Sequence, residues 1–195
     1  MKPSLHERLH NRHRSKAATI DGHASTRYDF MARHLIRRVY RRIADDIALA
    51  APHGGNLLDV GTGPGILLVE VAERRPDLLL TGVDLSEDMV AVAERNLRGI
   101  GTARIGDAAE LLFEDDSFDM IISSFSLHHW EYPEAAGIEL GRVLRPGGRI
   151  YLYDFPSAPF AELDAVGSDQ QEVIRASWLF PRFARHVITT AATTA

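Results

Sequence analysis

The sequence predicts an α/β fold, a doubly wound, mostly parallel sheet covered by helices on both faces. Three observations carry this reading. Short apolar runs alternate with amphipathic ones along most of the chain, which is the pattern of βαβ units. The first such run, Leu57-Leu58-Asp59-Val60, feeds the glycine cluster Gly61-Thr62-Gly63-Pro64-Gly65, and an amphipathic run starts at Ile66. The run from Phe118 to Ser124 is apolar almost throughout, as suits a central parallel strand buried on both faces.

Taken in order, residues 1–24 read as a flexible basic arm with several histidines. His6, His10 and His13 would share a helix face, but Glu7 is the one carboxylate near them and no metal site is assigned. From Tyr28 to Ala51 apolar residues recur at three- and four-residue steps, with Arg37, Arg38, Arg41 and Arg42 on the other face. This is a helix covering one side of the sheet, at the start of a single domain over residues 25–195. Pro52 to Gly55 leads into the first strand. The helix after Gly65 closes at Pro76, and Leu78 to Val83 is the second strand, ending in Asp84. Ser86 is an N-cap for the helix of Met89, Val90 and Ala93. Thr102 to Gly106 is a third strand ending at Asp107. The fourth strand ends at Ser124, and His128, His129 and Trp130 follow it. Pro133 opens a helix that reaches Leu144. Arg145-Pro-Gly-Gly148 forms a turn, and Arg149 to Phe155 is the fifth strand.

Glycines at 61, 63 and 65 permit positive φ and leave no Cβ between backbone and ligand. Ligands of open α/β sheets bind at the strands' carboxyl ends. Asp84 follows Gly65 by 19 positions, near the roughly 20 expected of a carboxylate that binds ribose hydroxyls. A dinucleotide fingerprint would need a glycine at position 66, where Ile66 stands. The pattern therefore points to a nucleoside ligand without requiring its phosphates.

The 195 residues are 45% hydrophobic and 25% charged, ordinary for a globular domain. No apolar run approaches a membrane span, and no signal peptide is read at the N-terminus. Cysteine is absent, which excludes disulfides, thiolate metal sites and cysteine nucleophiles. A cytoplasmic protein is expected. Residues 1–50 carry 11 Lys and Arg against 5 Asp and Glu, and the rest carries 11 against 22. That is a solvated basic arm on an acidic domain, or a surface for acidic ligands. No nucleic-acid module accompanies it, so nucleic acid is not expected as a partner.

The run Leu-Leu-Asp59-Val-Gly61-Thr-Gly63-Pro-Gly65, the later Gly-Val-Asp84-Leu-Ser and the distal Arg142-Val-Leu-Arg-Pro-Gly-Gly148 occur in that order. Together they resemble the class I S-adenosylmethionine-dependent methyltransferases, and within them the small-molecule enzymes that include the ubiquinone and menaquinone C-methyltransferases. The resemblance covers roughly positions 25 to 155. It implies a Rossmann-like fold, S-adenosyl-L-methionine as cofactor and a small-molecule methyl acceptor. The implied cofactor site comprises Tyr28, Asp59, Gly61, Thr62, Gly63, Gly65, Asp84, Leu85, Met89, Asp107, Ala108 and Ser123. Tyr28 would help close the pocket. Asp107 would accept from the adenine amino group, which is chemically sensible for a carboxylate. Its alternative role is capping the turn at Ala108–Leu112. Asp59 either holds the glycine turn through backbone N–H groups or meets the cofactor's amino group through water.

Methyl transfer from a sulfonium needs chiefly positioning and exclusion of water. A base is required only if the acceptor must lose a proton. His128 and His129 are the candidate catalytic residues, because imidazole titrates near neutrality and both follow the fourth strand. A structural role for the pair stays open. Two other readings remain: an NAD-dependent oxidoreductase, disfavoured by Ile66, and a non-catalytic or shortened member that keeps the fold.

Similar enzymes end in an antiparallel pair of strands. Here Leu163 to Phe180 reads as one or two helices, and Val187 to Thr190 is the one strand-like segment. A shortened C-terminal hairpin is therefore expected. It would leave an open edge beside the fifth strand, covered by helices or by a second copy in a homodimer.

Overall fold

A computed structural model describes residues 25–166, 168–174 and 183–189, with side chains from 37 to 163 and from 183 to 189. The expected arm over 1–24, with its histidines, lies outside the described residues. The chain divides into two units, residues 1–35 and 36–195. In the first, the described residues from Ser25 onward are helical, and the helix α1 runs Ser25–Ala50.

The second unit holds a seven-stranded sheet. Its elements are β1 (Asn56–Val60), α2 (Ile66–Arg74), β2 (Leu79–Asp84), α3 (Glu87–Asn96), β3 (Gly101–Ile105), β4 (Phe118–Ser124), α4 (Pro133–Val143), β5 (Leu144–Asp154), β6 (Ser168–Ile174) and β7 (Phe183–Thr189). The strand order is β3-β2-β1-β4-β5-β7-β6. β1 to β5 are mutually parallel, while β7 runs antiparallel to both β5 and β6. The order reverses between β1 and β4, the switch point where open α/β sheets bind ligands.

Alternation along the inner strands builds two cores. Leu57, Met120, Ile122, Tyr151 and Tyr153 face one side, packed with Val39, Ile43 and Ile47 of α1 and with residues of α2 and α3. Leu58, Ile121, Ile150 and Leu152 face the other, packed with Leu140 and Val143 of α4. Side chains of a strand alternate faces, so a run apolar at every position needs cover on both.

Four expectations are corrected. The C-terminal hairpin is complete: β6 and β7 pair from Ser168↔Thr189 to Ile174↔Phe183. Within the described part of the expected helices, a 3-10 helix over Phe160–Val166 and then β6 stand instead, and 175–180 lie outside the described residues. β7 pairs with β5 from Arg149↔Thr189 to Asp154↔Ala184, so the open edge that suggested a second subunit is filled. β5 also begins earlier than expected. Leu144 already pairs with Phe118, and the register shifts before Met120↔Arg149. The Arg-Pro-Gly-Gly turn is thus an irregularity inside the strand, with Gly147 at φ 78°.

Candidate functional site

The glycine turn sits at the carboxyl end of β1. Gly61, Gly63 and Gly65 have φ of 74°, 53° and 75°, the left-handed region where a Cβ is strained. The turn is pinned from β2. The Val83 carbonyl accepts the Gly61 and Thr62 N–H groups at 2.8 and 2.9 Å. Asp84 accepts the Gly63 N–H at 2.8 Å through Oδ2 and the Ser86 N–H at 2.9 Å through Oδ1. A carboxylate offers about four lone-pair sites, so each oxygen keeps capacity for a ligand. The Ser86 hydroxyl accepts from the Met89 N–H, capping α3 as expected.

Asp59 lies beneath this turn, 1% exposed. Its Oδ2 accepts the Thr62 hydroxyl at 2.9 Å, so it holds the turn through a side chain. Its Oδ1 has no hydrogen-bond partner among the described residues. Burial pushes the Asp59 carboxyl up to about 7; the Thr62 hydrogen bond opposes this and the Asp84 charge adds to it. Tyr40 of α1 lies close by. Burial and then the Asp59 charge raise its phenol, against a hydrogen bond with Ser124. Ser123 is 2% exposed, and its Oγ also lacks a partner among the described residues.

Leu85 and Met89, beside Asp84, are large exposed apolar residues, as is Ile105 at the end of β3. Register places Ile105 opposite Asp84. Exposed apolar side chains gathered at one strand edge suit a flat ligand surface. Asp107 accepts the Ala109 N–H at 3.0 Å, so the turn-capping role is present in the fold, and Ala108 stands within that turn. The Tyr28 backbone is helical, but its side chain lies outside the described residues.

Past β4 the chain bends sharply. Phe125 has φ 52°, rare for a bulky residue. Its N–H donates to the Tyr153 carbonyl at 2.7 Å. Ser126 then leans on the glycine turn. A Cβ on Gly61 would fall 1.8 Å from the Ser126 Oγ, which accepts the Trp130 indole N–H at 2.9 Å. Gly82 is needed for a similar reason, since its Cβ would meet the Thr62 Cγ2 at 2.8 Å.

The two histidines differ. The rings lie tilted at 44° with centroids 3.9 Å apart, but among the described residues only His128 of the two engages a carboxylate. Its Nδ1 lies 2.7 Å from Asp154 Oδ1, and its backbone N–H donates to Oδ2 at 3.1 Å. Asp154 ends β5 fully buried and also accepts the Phe155 N–H. Sequence reasoning missed Asp154, Ser126, Tyr40 and Gly82. The signal for Asp154 was an acid at a strand's carboxyl end, as at Asp59 and Asp84. A separate groove of about 590 Å³, lined by Arg75, Leu79, Ile100 and Thr102 among others, lies at the strands' amino ends and holds none of these residues. Among the described residues no helix is long and apolar enough to cross a membrane.

Known proteins resemble this chain in sequence and in fold. A family described as a methyltransferase domain matches residues 58–152. A ubiquinone/menaquinone biosynthesis C-methyltransferase of Paracoccus denitrificans is 30% identical over 90% of this chain and 69% of its own length. One from Geotalea daltonii is 34% identical over 69% of this chain and 60% of its own length. A nocamycin O-methyltransferase of Saccharothrix syringae is 40% identical over 64% of this chain and 46% of its own. The chain spans 44% to 63% of the first three curated relatives. Among solved structures, a SAM-dependent methyltransferase from Aquifex aeolicus superposes with TM-score 0.61 at 19% identity, over 71% of this chain and 84% of that one. The [4+2]-cyclase SpnF superposes with TM-score 0.68 at 19% identity, over 78% and 82%. These two show the fold alone.

Proposed function

The chain belongs to the class I S-adenosylmethionine-dependent methyltransferases, and on that premise we propose that it transfers a methyl group from S-adenosyl-L-methionine to a small organic acceptor. One observation carries the reading. A turn of three positive-φ glycines stands at the switch point, over a buried carboxylate whose Oδ1 lacks a partner among the described residues. An unpaired buried carboxylate oxygen is costly, and the cationic amino group of this cofactor would satisfy it. The residues present therefore fit the group.

When bound, S-adenosylmethionine supplies a methyl group already activated by a positively charged sulfur. The chain's own residues would do the rest. Gly61, Gly63 and Gly65, with Thr62, let the backbone lie against the cofactor. Asp84 would take the ribose hydroxyls with its remaining lone pairs. Leu85, Met89 and Ala108 would flank the adenine, and Asp107 would accept from its amino group. Ser123 and Asp59 would meet the amino-acid end. Held in line with the donor and shielded from water, an acceptor gains most of its acceleration from proximity.

The curated relatives act in quinone biosynthesis or on nocamycin by their names, so demethylated quinols and hydroxylated small molecules are the acceptors to try. Calorimetry with S-adenosylmethionine and NAD tests the cofactor, and transfer of labelled methyl to those acceptors tests the reaction. Binding of NAD in preference would overturn the reading. Cofactor binding without any turnover would favour the non-catalytic reading, for which the cyclase fold is a reminder that fold does not fix chemistry.

A further inference from the structure

His128 is held by Asp154 in a way that a mere surface histidine does not need. The carboxylate grips the residue twice, at the ring Nδ1 and at the backbone N–H. The Phe155 N–H donates to Asp154 Oδ1 at 2.7 Å and fixes the carboxylate in turn. Asp154 is fully buried, whereas the His128 side chain is 28% exposed. Phe155 packs edge-on to the His128 ring, with centroids 5.2 Å apart. The ring is thus fixed in orientation as well as position. An ionised carboxylate is an acceptor only, so beside it Nδ1 carries the proton that lies between them. Nε2 is then the atom with the free lone pair, and it has no hydrogen-bond partner among the described residues.

We infer that Asp154 is a positioning residue: it locks His128 in the Nδ1–H tautomer, so that Nε2 takes a proton from the attacking group of the methyl acceptor. The acceptor is accordingly one whose nucleophilic group carries a removable proton, such as a hydroxyl or an enolisable carbon. The proton passes to Nε2, the electron pair it leaves behind forms the new bond to methyl, and the methyl–sulfur pair returns to sulfur. The imidazolium so formed is stabilised by the Asp154 carboxylate and returns its proton to solvent through the exposed part of the ring. His129, which engages no carboxylate among the described residues, is assigned no such role. A carboxylate that sets a histidine tautomer is a general device; here the ends of β4 and β5 bring the two groups together.

The substrate named here rests on the methyl-transfer reading, but the decisive test does not. Two-bond proton–nitrogen correlation spectra of 15N-labelled protein at about pH 8 report each histidine's tautomer, and His128→Gln assigns the signal. Wild-type His128 should show the proton on Nδ1. Asp154→Asn can offer an amide N–H to Nδ1, and should shift the population towards Nε2–H. Carbethoxylation of His128 by diethyl pyrocarbonate, followed by peptide mass spectrometry, should slow at least about tenfold in that variant and recover in part in Asp154→Glu. With an acceptor that turns over, Asp154→Asn should lower kcat on the order of 100-fold and leave S-adenosylmethionine affinity unchanged. Wild-type His128 with its proton on Nε2 would overturn the inference, and that measurement needs no variant to fold. Unchanged tautomer and reactivity in a folded Asp154→Asn would overturn it equally. Failure of S-adenosylmethionine to bind would instead count against the methyl-transfer reading.

Discussion

Asparagine in place of Asp59 should relieve a pH-dependent load on the fold. Asp59 is 1% exposed, and burial is the main cause of its raised carboxyl value. The rise runs from 3.8 to about 7. At about 1.4 kcal/mol per unit, it corresponds to on the order of 4 kcal/mol. The folded-state value lies above the ordinary one, so the favourable contribution is present in acid. It is lost as pH rises from about 4 through 7, and no further change follows above. The amide of the Asp59→Asn variant cannot titrate. Urea unfolding of wild type and variant across that interval should show the wild type losing a few kcal/mol relative to the variant. Carboxylates lowered by arginine partners, such as Glu139 beside Arg142, act with the opposite sign but cancel in the difference. A difference that stays flat from pH 4 to pH 8 would refute the reasoning.

The same group predicts a proton signature of binding. A cationic amino group brought to Asp59 favours its ionised form. Near neutral pH, S-adenosylmethionine should therefore displace up to about one proton. Calorimetry in two buffers of different ionisation enthalpy would measure it, and Asp59→Asn should abolish it.

Three further outcomes are expected. Asp84→Ala removes the acceptor for the Gly63 N–H as well as the proposed ribose contacts; at about 1.5–3 kcal/mol per charged hydrogen bond, cofactor affinity should drop at least tenfold by calorimetry. Gly82→Ala drives a Cβ into Thr62 at 2.8 Å and should cost about 1–3 kcal/mol in urea unfolding, with weaker cofactor binding because Thr62 then leaves Asp59. Glu70→Gln loosens α1 from α2. The 1%-exposed carboxylate receives Arg37 at 3.0 Å, Arg74 at 3.1 Å and Arg41 at 3.4 Å. Burial raises the Glu70 carboxyl, but its arginine partners outweigh burial and hold it below the ordinary range. Arg37 and Arg41 are more than half exposed and regain water, so the loss should be about 1–2 kcal/mol at neutral pH. It should vanish as pH falls below the carboxylate range.

The sequence was most legible where burial on both faces leaves no freedom. β1 and β4 must be apolar at nearly every position, and the helices that cover them must be amphipathic. The glycine turn was legible because its backbone needs conformations that other residues resist. β6 was not legible, for the opposite reason. Ser168-Asp-Gln-Gln-Glu172 is polar throughout; its one partner in the sheet is β7. A strand at an edge keeps polar residues that discourage further pairing, and so loses the signature by which strands are read. β7 was half legible: Val187 and Ile188 are β-branched, but Ala184 and His186 reach the buried side without announcing a strand.

Site residues followed a second rule, and Asp154 shows where it was left incomplete. Each parallel strand delivers its last residues to one edge, whatever its place in the chain. His128 and His129 were placed near the ligand edge by that logic, since both follow β4. Asp154 ends β5 by the same logic, and the register Ser124↔Tyr153 sets it beside the exit of β4. A histidine 26 residues away in sequence is therefore its neighbour in space. Sequence separation hides the pair, while parallel topology makes the pairing a consequence of strand ends alone. The general inference is that acids ending adjacent parallel strands should be tested against every titratable residue in the loop that leaves the neighbouring strand.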